Sequence, residues 1–137
     1  MNKMRLQIIS PKRIIFDGEC TMVEYNTTEG QVGVLAGHSA MTQVIAPGIL
    51  TVYEENKEEP LKACIHSGIA TIMPDLVSIL AEVVEYKEEI DVSRAKEAYG
   101  RAKKRIEEKP NGYDWKRAKL ALERAKARLE LVGEKDV

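Results

Sequence analysis

The stretch VSILAEVVEYKEEIDVSRAKEAYGRAKKRIEE, residues 77–108, contains the change of pattern that decides the fold. Its first eight residues form a run rich in apolar and β-branched side chains, whereas Ala, Glu, Lys and Arg dominate from Lys87 onward. The first pattern is typical of strands and the second of solvent-exposed helices. We therefore expect a β domain over residues 1–87 and a helical domain over residues 88–137.

The segment before Lys87 is divided by turn-forming residues. It contains six of the nine glycines and four of the five prolines. Between them lie about nine short apolar or alternating runs at a spacing of roughly 8–12 residues, a pattern typical of a β-sandwich or barrel. The predicted strands span residues 6–9, 13–16, 20–27, 32–35, 42–45, 49–54, 61–66, 69–73 and 77–84.

The segment after Lys87 predicts two helices joined by Lys109-Pro110-Asn111-Gly112. Asp91 and Asp114 are expected N-caps, because an aspartate can accept a hydrogen bond from an amide in the first turn. Each helix carries one apolar stripe at helical spacing, which favours an antiparallel hairpin. The stripes are Ala95, Ala98, Tyr99, Ala102 and Ile106 in the first helix, and Trp115, Ala118, Leu122, Ala125, Leu129 and Val132 in the second.

These stripes consist largely of alanine, which buries little apolar area. At about 25 cal/mol per Å² such a contact is weak, so we expect a hairpin that can open. A helical pair of this length is also marginal alone and needs a surface on which to dock.

Charge differs between the two halves. Residues 1–87 contain 7 Lys/Arg and 11 Asp/Glu, a balance of −4, whereas residues 88–137 contain 14 and 11, a balance of +3. From Arg94 to Arg128 the numbers are 13 and 5, a balance of +8. The hairpin therefore favours an anionic partner such as an acidic protein, a phosphate or a nucleic acid. Nucleic acid is the least favoured of these, because few aromatic residues lie among the basic ones.

The sequence offers little catalytic chemistry. His38 and His66 lack neighbours at metal-ligand spacing, so no metal site is predicted. Neither a Walker A motif nor a GxSxG motif is present, so the chain is not expected to be an enzyme. Cys20 and Cys64 are far apart in sequence and are interpreted as reduced strand residues. Without a signal-peptide pattern or a long apolar run, the chain is expected to be soluble or peripheral to a membrane.

Four arginines of the predicted hairpin could act together. Arg94 and Arg101 share one face of the first helix, and Arg124 and Arg128 share one face of the second. Their guanidinium groups could clamp a triphosphate, since each offers a planar fork to anionic oxygens. On charge pattern alone, a solvated basic surface is the simpler interpretation.

Several motifs occur in an order that resembles the epsilon subunit of bacterial F-type ATP synthases. TEGQVGVLAGH at residues 28–38 is similar to that family's TEGxxGxLxGH signature, and PKRIIFDGE at residues 11–19 fits its Px4FxGE stretch. Pro47-Gly48, VSILAE at residues 77–82 and IDVSRA at residues 90–95 also fit. Two turns depart from the family pattern: His38-Ser39-Ala40 stands where HAP is usual, and His66-Ser67-Gly68-Ile69 where SGGF is usual.

The resemblance implies a mainly β plus α fold: an N-terminal flattened β-sandwich with a C-terminal antiparallel helical hairpin. It implies a non-catalytic central-stalk subunit that binds the gamma subunit and the membrane rotor ring of c subunits and couples the two. It also implies that the subunit restrains ATP hydrolysis when the hairpin extends toward the catalytic alpha and beta subunits. The implied location is the cytoplasmic face of the bacterial plasma membrane, as a peripheral protein. A turn-rich loop over residues 29–38, with Glu29, Gln31 and His38, is expected to face the rotor ring.

The resemblance also implies that the hairpin binds ATP as a regulatory ligand, with no cofactor required for a reaction. The residues that match the family's ATP-binding positions are Glu85, Ile90, Asp91, Arg94, Ala95, Arg101, Arg124 and Arg128. The arginines would hold the phosphates, and Glu85 with the Ile90–Asp91 segment would contact the adenosine. The alternative is a stalk subunit whose basic hairpin contacts the catalytic subunits without binding ATP.

Overall fold

The computed structural model describes residues 2–108 and 114–134, which form a ten-stranded β-sandwich followed by two helices. This is the predicted fold class, with one strand more than expected. The strands are β1 (Met4–Ile9), β2 (Ile14–Cys20), β3 (Met22–Thr27), β4 (Gly30–Leu35), β5 (Met41–Ile45), β6 (Gly48–Tyr53), β7 (Leu61–Ile65), β8 (Gly68–Ile72), β9 (Leu76–Ala81) and β10 (Val84–Glu85). A 3-10 turn at Lys87–Glu89 leads into α1 (Val92–Glu108), and α2 is Trp115–Leu131.

The strands form two five-stranded sheets. The first has the order β2-β1-β9-β8-β5 and the second the order β10-β7-β6-β3-β4. All neighbouring strands are antiparallel except β1 and β9, which run parallel with Leu6 opposite Val77. The inner faces of both sheets supply the large aliphatic side chains of the sandwich core, among them Leu6, Ile8, Leu50, Ile65, Ile72 and Ile79.

Three predicted strand boundaries are wrong. Cys20, expected to begin the third strand, is the last residue of β2 and pairs with Met4. Asp17 and Gly18, expected to end the second strand, lie inside β2 and pair with Gln7 and Leu6 of β1. β2 is an edge strand, paired only with β1, and an edge strand tolerates aspartate and glycine. Gly18 lies beside the ring of Phe16. The predicted strand over residues 77–84 is divided between β9 of one sheet and β10 of the other. The chain changes sheet at Glu82-Val83, and this dipeptide contains none of the residues that usually form turns, such as glycine or proline.

Both cysteines are free and buried in strands, as predicted. Burial raises the pKa of Cys20 to about 11 and that of Cys64 to about 12. Both thiols are therefore protonated at neutral pH and are poor nucleophiles. Cys20 belongs to the sandwich core, whereas Cys64 faces the helices.

The helices begin where the capping argument places them. Asp91 Oδ1 accepts a hydrogen bond from the Arg94 amide at 3.1 Å, and Asp114 Oδ1 accepts one from the Arg117 amide at 3.1 Å. The predicted break at residues 109–112 lies outside the described residues. α2 packs against β6 and β7, and α1 packs against α2.

The hairpin interface, meaning the buried residues of the two helices, is mostly alanine. It comprises Ala95, Ala102, Ala118, Ala125, Ala127 and Leu129. Leu129 and Ala127 join Cys64, Ile90 and Ala95 in a cluster separate from the sandwich core. Trp115, predicted to belong to the apolar stripe, is 41% exposed. It is the first residue of α2, at the end away from the residues that pack on the sheet.

Candidate functional site

A polar cavity of about 580 Å³ lies between the linker that follows β10 and the two helices. Its walls combine arginines and carboxylates with two alanines, which keep the space between them open. The lining residues are Glu85, Glu89, Asp91, Arg94, Ala95, Glu97, Ala98, Arg101 and Arg128. Because both helices and the linker contribute, a ligand in this cavity would contact all three elements.

Helical spacing arranges one wall of the cavity. Arg94, Ala98 and Arg101 are separated by four and three positions on α1, so their side chains lie along one face. Asp91 is fixed at the N-terminus of the same helix by its capping bond. The opposite wall receives Arg128 from the last turns of α2. The cavity therefore exists only while the two helices are side by side.

Glu85 is the most strongly perturbed group of the cavity. Its Oε1 accepts hydrogen bonds from His66 Nε2 and from Arg128 Nε, both at 2.7 Å. These contacts, the one with His66 first and that with Arg128 second, lower the pKa of Glu85 to about 2 although burial opposes them. Glu85 is therefore a carboxylate at any physiological pH, and it links the sandwich to α2.

A second ion pair holds the linker on the sandwich. Arg13 Nη2, just before β2, donates to both carboxylate oxygens of Glu89 at 2.7 Å and to the Val84 carbonyl at 3.2 Å. The Tyr86 ring lies 5.8 Å from the Arg13 guanidinium, and its hydroxyl donates to the Ile15 carbonyl. The bond from Arg13, with a further one from the Tyr86 amide, lowers the pKa of Glu89.

Most carboxylates of the cavity accept hydrogen bonds from the chain itself, whereas two of its arginines form no ion pair among the described residues. Glu85, Glu89 and Asp91 each accept hydrogen bonds from within the chain. The Arg94 and Arg101 side chains make no ion pair within residues 2–108 and 114–134. Their guanidinium groups are thus placed to meet an anionic ligand.

Six of the eight residues predicted as a nucleotide site line this one cavity: Glu85, Asp91, Arg94, Ala95, Arg101 and Arg128. Ile90 is 9% exposed and packs in the adjoining apolar cluster, where it supports the wall. Arg124 is exposed and does not line the cavity. The geometry thus brings together three of the four arginines expected to converge.

Sequence reasoning did not identify His66, Arg13 or Glu89 as part of this arrangement. His66 is only 5% exposed, and its Nδ1 is a buried nitrogen without a hydrogen-bond partner among the described residues. The position after β7 looked like an ordinary turn, and Ser67 indeed has a positive φ of 75°. Arg13 and Glu89 are 76 residues apart, so no local pattern could pair them.

The segment predicted to face a rotor ring is not a turn-rich loop over its length. Residues 30–35 are β4, an edge strand that pairs with β3, and the turns are confined to the ends. Gly30 and Gly37 have positive φ angles of 123° and 84° and form these turns. Glu29 and Gln31 are exposed, whereas His38 is half-buried with its Nδ1 2.9 Å from the Ser39 carbonyl oxygen.

An apolar row crosses the outer face of the first sheet. Val44, Ile69 and Leu80 are 67%, 49% and 56% exposed, and they are register neighbours on β5, β8 and β9. Ile9 of β1 extends the row beside Leu80. Together with Pro11 they line a shallow apolar groove. A continuous exposed apolar surface of this kind marks an interaction site.

Two further classes of site are not found. None of the helices within the described residues is both long and apolar enough to span a bilayer. In the same part of the chain, no group of three or more His, Cys, Asp or Glu side chains could hold a metal ion.

Comparison with known proteins gives consistent matches over the whole fold. Residues 3–87 match the family described as "ATP synthase, Delta/Epsilon chain, beta-sandwich domain", and residues 88–133 match "ATP synthase, Delta/Epsilon chain, long alpha-helix domain". The ATP synthase epsilon chain of Ruminiclostridium cellulolyticum is 40% identical over 124 residues, covering 90% of this chain and 91% of that relative. The epsilon chain of Clostridium novyi is 40% identical over 128 residues, covering 93% and 96%.

Solved structures agree with these matches. A chain of the Euglena gracilis mitochondrial ATP synthase, in a cryo-EM structure of OSCP, F1 and the c-ring, superposes with a TM-score of 0.80 at 28% identity. The match covers 93% of this chain and 79% of that one. A chain of the Tetrahymena thermophila central stalk and c-ring shares the fold, with a TM-score of 0.61 at 15% identity, covering 96% and 97%. The chain therefore belongs to the family of epsilon subunits of the F-type ATP synthase.

Proposed function

We propose that this chain, a non-catalytic subunit of the ATP synthase central stalk, couples the rotor ring to the gamma subunit and restrains ATP hydrolysis through a hairpin that binds ATP. The observation that supports this most strongly is the cavity shared by the linker and both helices. A ligand that binds only the closed hairpin stabilises it by RT ln(1 + [L]/Kd). ATP would therefore keep the hairpin closed when plentiful and release it when scarce.

Arg94, Arg101 and Arg128 are proposed to hold the phosphates. Arg94 and Arg101 have no competing ion pair among the described residues. Arg128 donates to Glu85 through Nε, which leaves its two terminal nitrogens available to a ligand. Asp91 and the backbone around Ile90 would contact the adenosine, at the end of the cavity nearest the linker. The described residues that line the cavity include neither a glycine-rich phosphate loop nor a lysine, so ATP is proposed to be a ligand and not a substrate.

Calorimetry on the full chain tests the ATP site. We expect heat of binding with ATP at millimolar concentration or below, and a loss of affinity of at least tenfold in Arg94→Ala, since a charged hydrogen bond is worth about 1.5–3 kcal/mol. Arg117→Ala is the matched control, because it removes the same charge from an exposed position outside the cavity. Absence of binding heat in the unaltered chain would contradict the ATP site.

Contact with the gamma subunit is proposed to occur at the apolar row of Ile9, Val44, Ile69 and Leu80. An exposed apolar surface of this kind favours burial against a partner, and the gamma subunit is the proposed partner. Contact with the rotor ring is proposed for β4 and its two flanking turns, with Glu29 and Gln31 at the β3–β4 end and His38 after the opposite end of the strand. Because both native cysteines are buried, single cysteines at Leu80 and Gln31 should crosslink to gamma and to c subunits respectively, whereas a cysteine at Lys57 in the β6–β7 loop should crosslink to neither.

The second candidate is a hairpin that meets acidic surfaces of the alpha and beta subunits without binding ATP. Arg124 favours it, because this arginine is exposed outside the cavity, where it can reach a partner. Truncation after Lys87 should raise the hydrolysis rate of the assembled complex under both hypotheses. Dependence of that inhibition on ATP concentration separates them, since only the ATP-binding hairpin responds to ATP.

A further inference from the structure

We infer that His66, a residue of the sandwich outside the cavity, is a positioning residue for the proposed ATP site: it holds Glu85 so that Arg128 keeps its terminal nitrogens directed toward the phosphates. The inference rests on the proposed function and deepens it. It also changes the expected role of Glu85, which acts here on Arg128 and not on the adenosine.

The geometry of Glu85 supports this role. A single oxygen, Oε1, accepts from both His66 Nε2 and Arg128 Nε at 2.7 Å. His66 comes from the turn after β7, Glu85 from β10, and Arg128 from α2, so three elements meet at one atom. Two donors on one oxygen restrict the orientation of the carboxylate, and the carboxylate in turn restricts the guanidinium bonded to it.

The atoms used by Arg128 leave the anion-binding part of its side chain available. Arg128 donates to Glu85 through Nε, and its side chain is 29% exposed at the cavity wall. The two terminal nitrogens form the planar fork that recognises phosphate oxygens. Holding an arginine in place before the ligand arrives removes part of the side-chain entropy that binding otherwise costs.

The sign of the effect follows from the charges around Glu85. Arg128 and His66 face the carboxylate, with Glu89 and the Cys64 thiol nearby. Glu89 is neutralised by Arg13, and the Cys64 thiol is uncharged. Removing the His66 donor leaves Glu85 less compensated, so its negative charge repels phosphate more strongly and its orientation loosens. Both consequences weaken ATP binding.

ATP titration calorimetry on full-length variants tests the inference. His66→Phe fills the same space without a donor, and we expect ATP to bind about tenfold more weakly. His66→Gln places an amide N–H at a similar reach, and we expect an affinity within about threefold of the unaltered chain. His66→Asn is too short to reach Glu85 and serves as a second loss-of-donor variant should the phenylalanine variant not fold.

A Glu85→Gln background completes the test. Without the carboxylate, His66→Phe should have no further effect on the ATP affinity, because its action passes through Glu85. Equal ATP affinity in the unaltered chain and His66→Phe would overturn the inference while leaving the ATP site intact. An equal loss in the phenylalanine and glutamine variants would overturn it as well, because it would indicate a purely structural role. If the unaltered chain binds no ATP, the proposed site fails and this inference falls with it.

Discussion

The sandwich core and the hairpin interface are built from different materials. The core is filled mainly by leucine, isoleucine and valine with one tyrosine, and Met4, Cys20 and three alanines complete it. The hairpin interface relies on five alanines and Leu129. Since buried apolar area contributes about 25 cal/mol per Å², we expect the hairpin to be less stable than the sandwich. The difference in side-chain size supports the proposed opening of the hairpin, because its helices share a smaller apolar contact than the two sheets do.

The largest expected effect comes from the core. Leu6→Ala removes a fully buried side chain from β1, an inner strand of the first sheet, and we expect a loss of about 3–5 kcal/mol in the free energy of unfolding. Urea denaturation measures it. Ile14→Ala, at a position that is 65% exposed, should change the stability by less than about 0.5 kcal/mol. A small effect of Leu6→Ala would remove the contrast between the regions.

Leu129→Ala should act on the hairpin alone. Leu129 is 1% exposed and packs beside Cys64 and Ile90, so its truncation should cost about 2–3 kcal/mol. Hydrogen exchange is expected to speed up in α1 and α2 while the strands stay protected. Leu120→Ala, on the same helix but 38% exposed, is the control. Faster exchange throughout the sandwich would show that the hairpin and the sandwich unfold as one unit.

Acid should weaken the link between the two regions. The pKa of Glu85 is about 2 in the folded chain against a usual 4.5, so its stabilisation is complete above pH 4.5 and is lost as the pH falls toward 2. Its magnitude is on the order of 2–3 kcal/mol. Glu85→Gln should lack this component. The stability difference between the unaltered chain and the variant should therefore shrink between pH 5 and pH 2 in urea titrations, and a constant difference would contradict the assignment.

The smallest effect should strengthen the hairpin. Gly100 is exposed within α1, and among the described residues a Cβ there would meet no atom within 4 Å beyond its chain neighbours and the backbone of its own helix. Gly100→Ala should therefore stabilise the helix by about 0.5–1 kcal/mol, measurable as slower amide exchange in α1. Gly37→Ala is a control of opposite sign, because its φ of 84° is unfavourable for alanine.

Local patterns predicted most of this fold. Both helix caps, the alanine stripe and the sequence of strands follow from spacing and turn residues within a few positions. The switch between sheets at residues 82–83 did not, because Glu82 and Val83 resemble strand residues. Trp115 was placed wrongly because helical spacing alone includes the first residue of α2 in the apolar stripe, although it is 41% exposed.

The candidate site was predicted only in part, because local spacing identifies residues that share a helix but not their partners in other elements. Arg94 and Arg101 share a helical face that any reader of the sequence can find. The partners of Glu85 and Glu89 lie in other elements, at His66, Arg128 and Arg13. Such pairings depend on how the sheets and helices assemble, and the sequence contains no local sign of them.

The ion pair between Arg13 and Glu89 determines about which residues the hairpin would rotate if it extended. Because this ion pair and the Tyr86 hydroxyl fasten the linker to β2, an extending hairpin would rotate about the residues that follow Glu89, leaving the preceding segment in place. α1 has 17 residues, which at 1.5 Å per residue makes an arm about 26 Å long. With α2 of equal length in line with α1, the tip would lie roughly 50 Å from the sandwich.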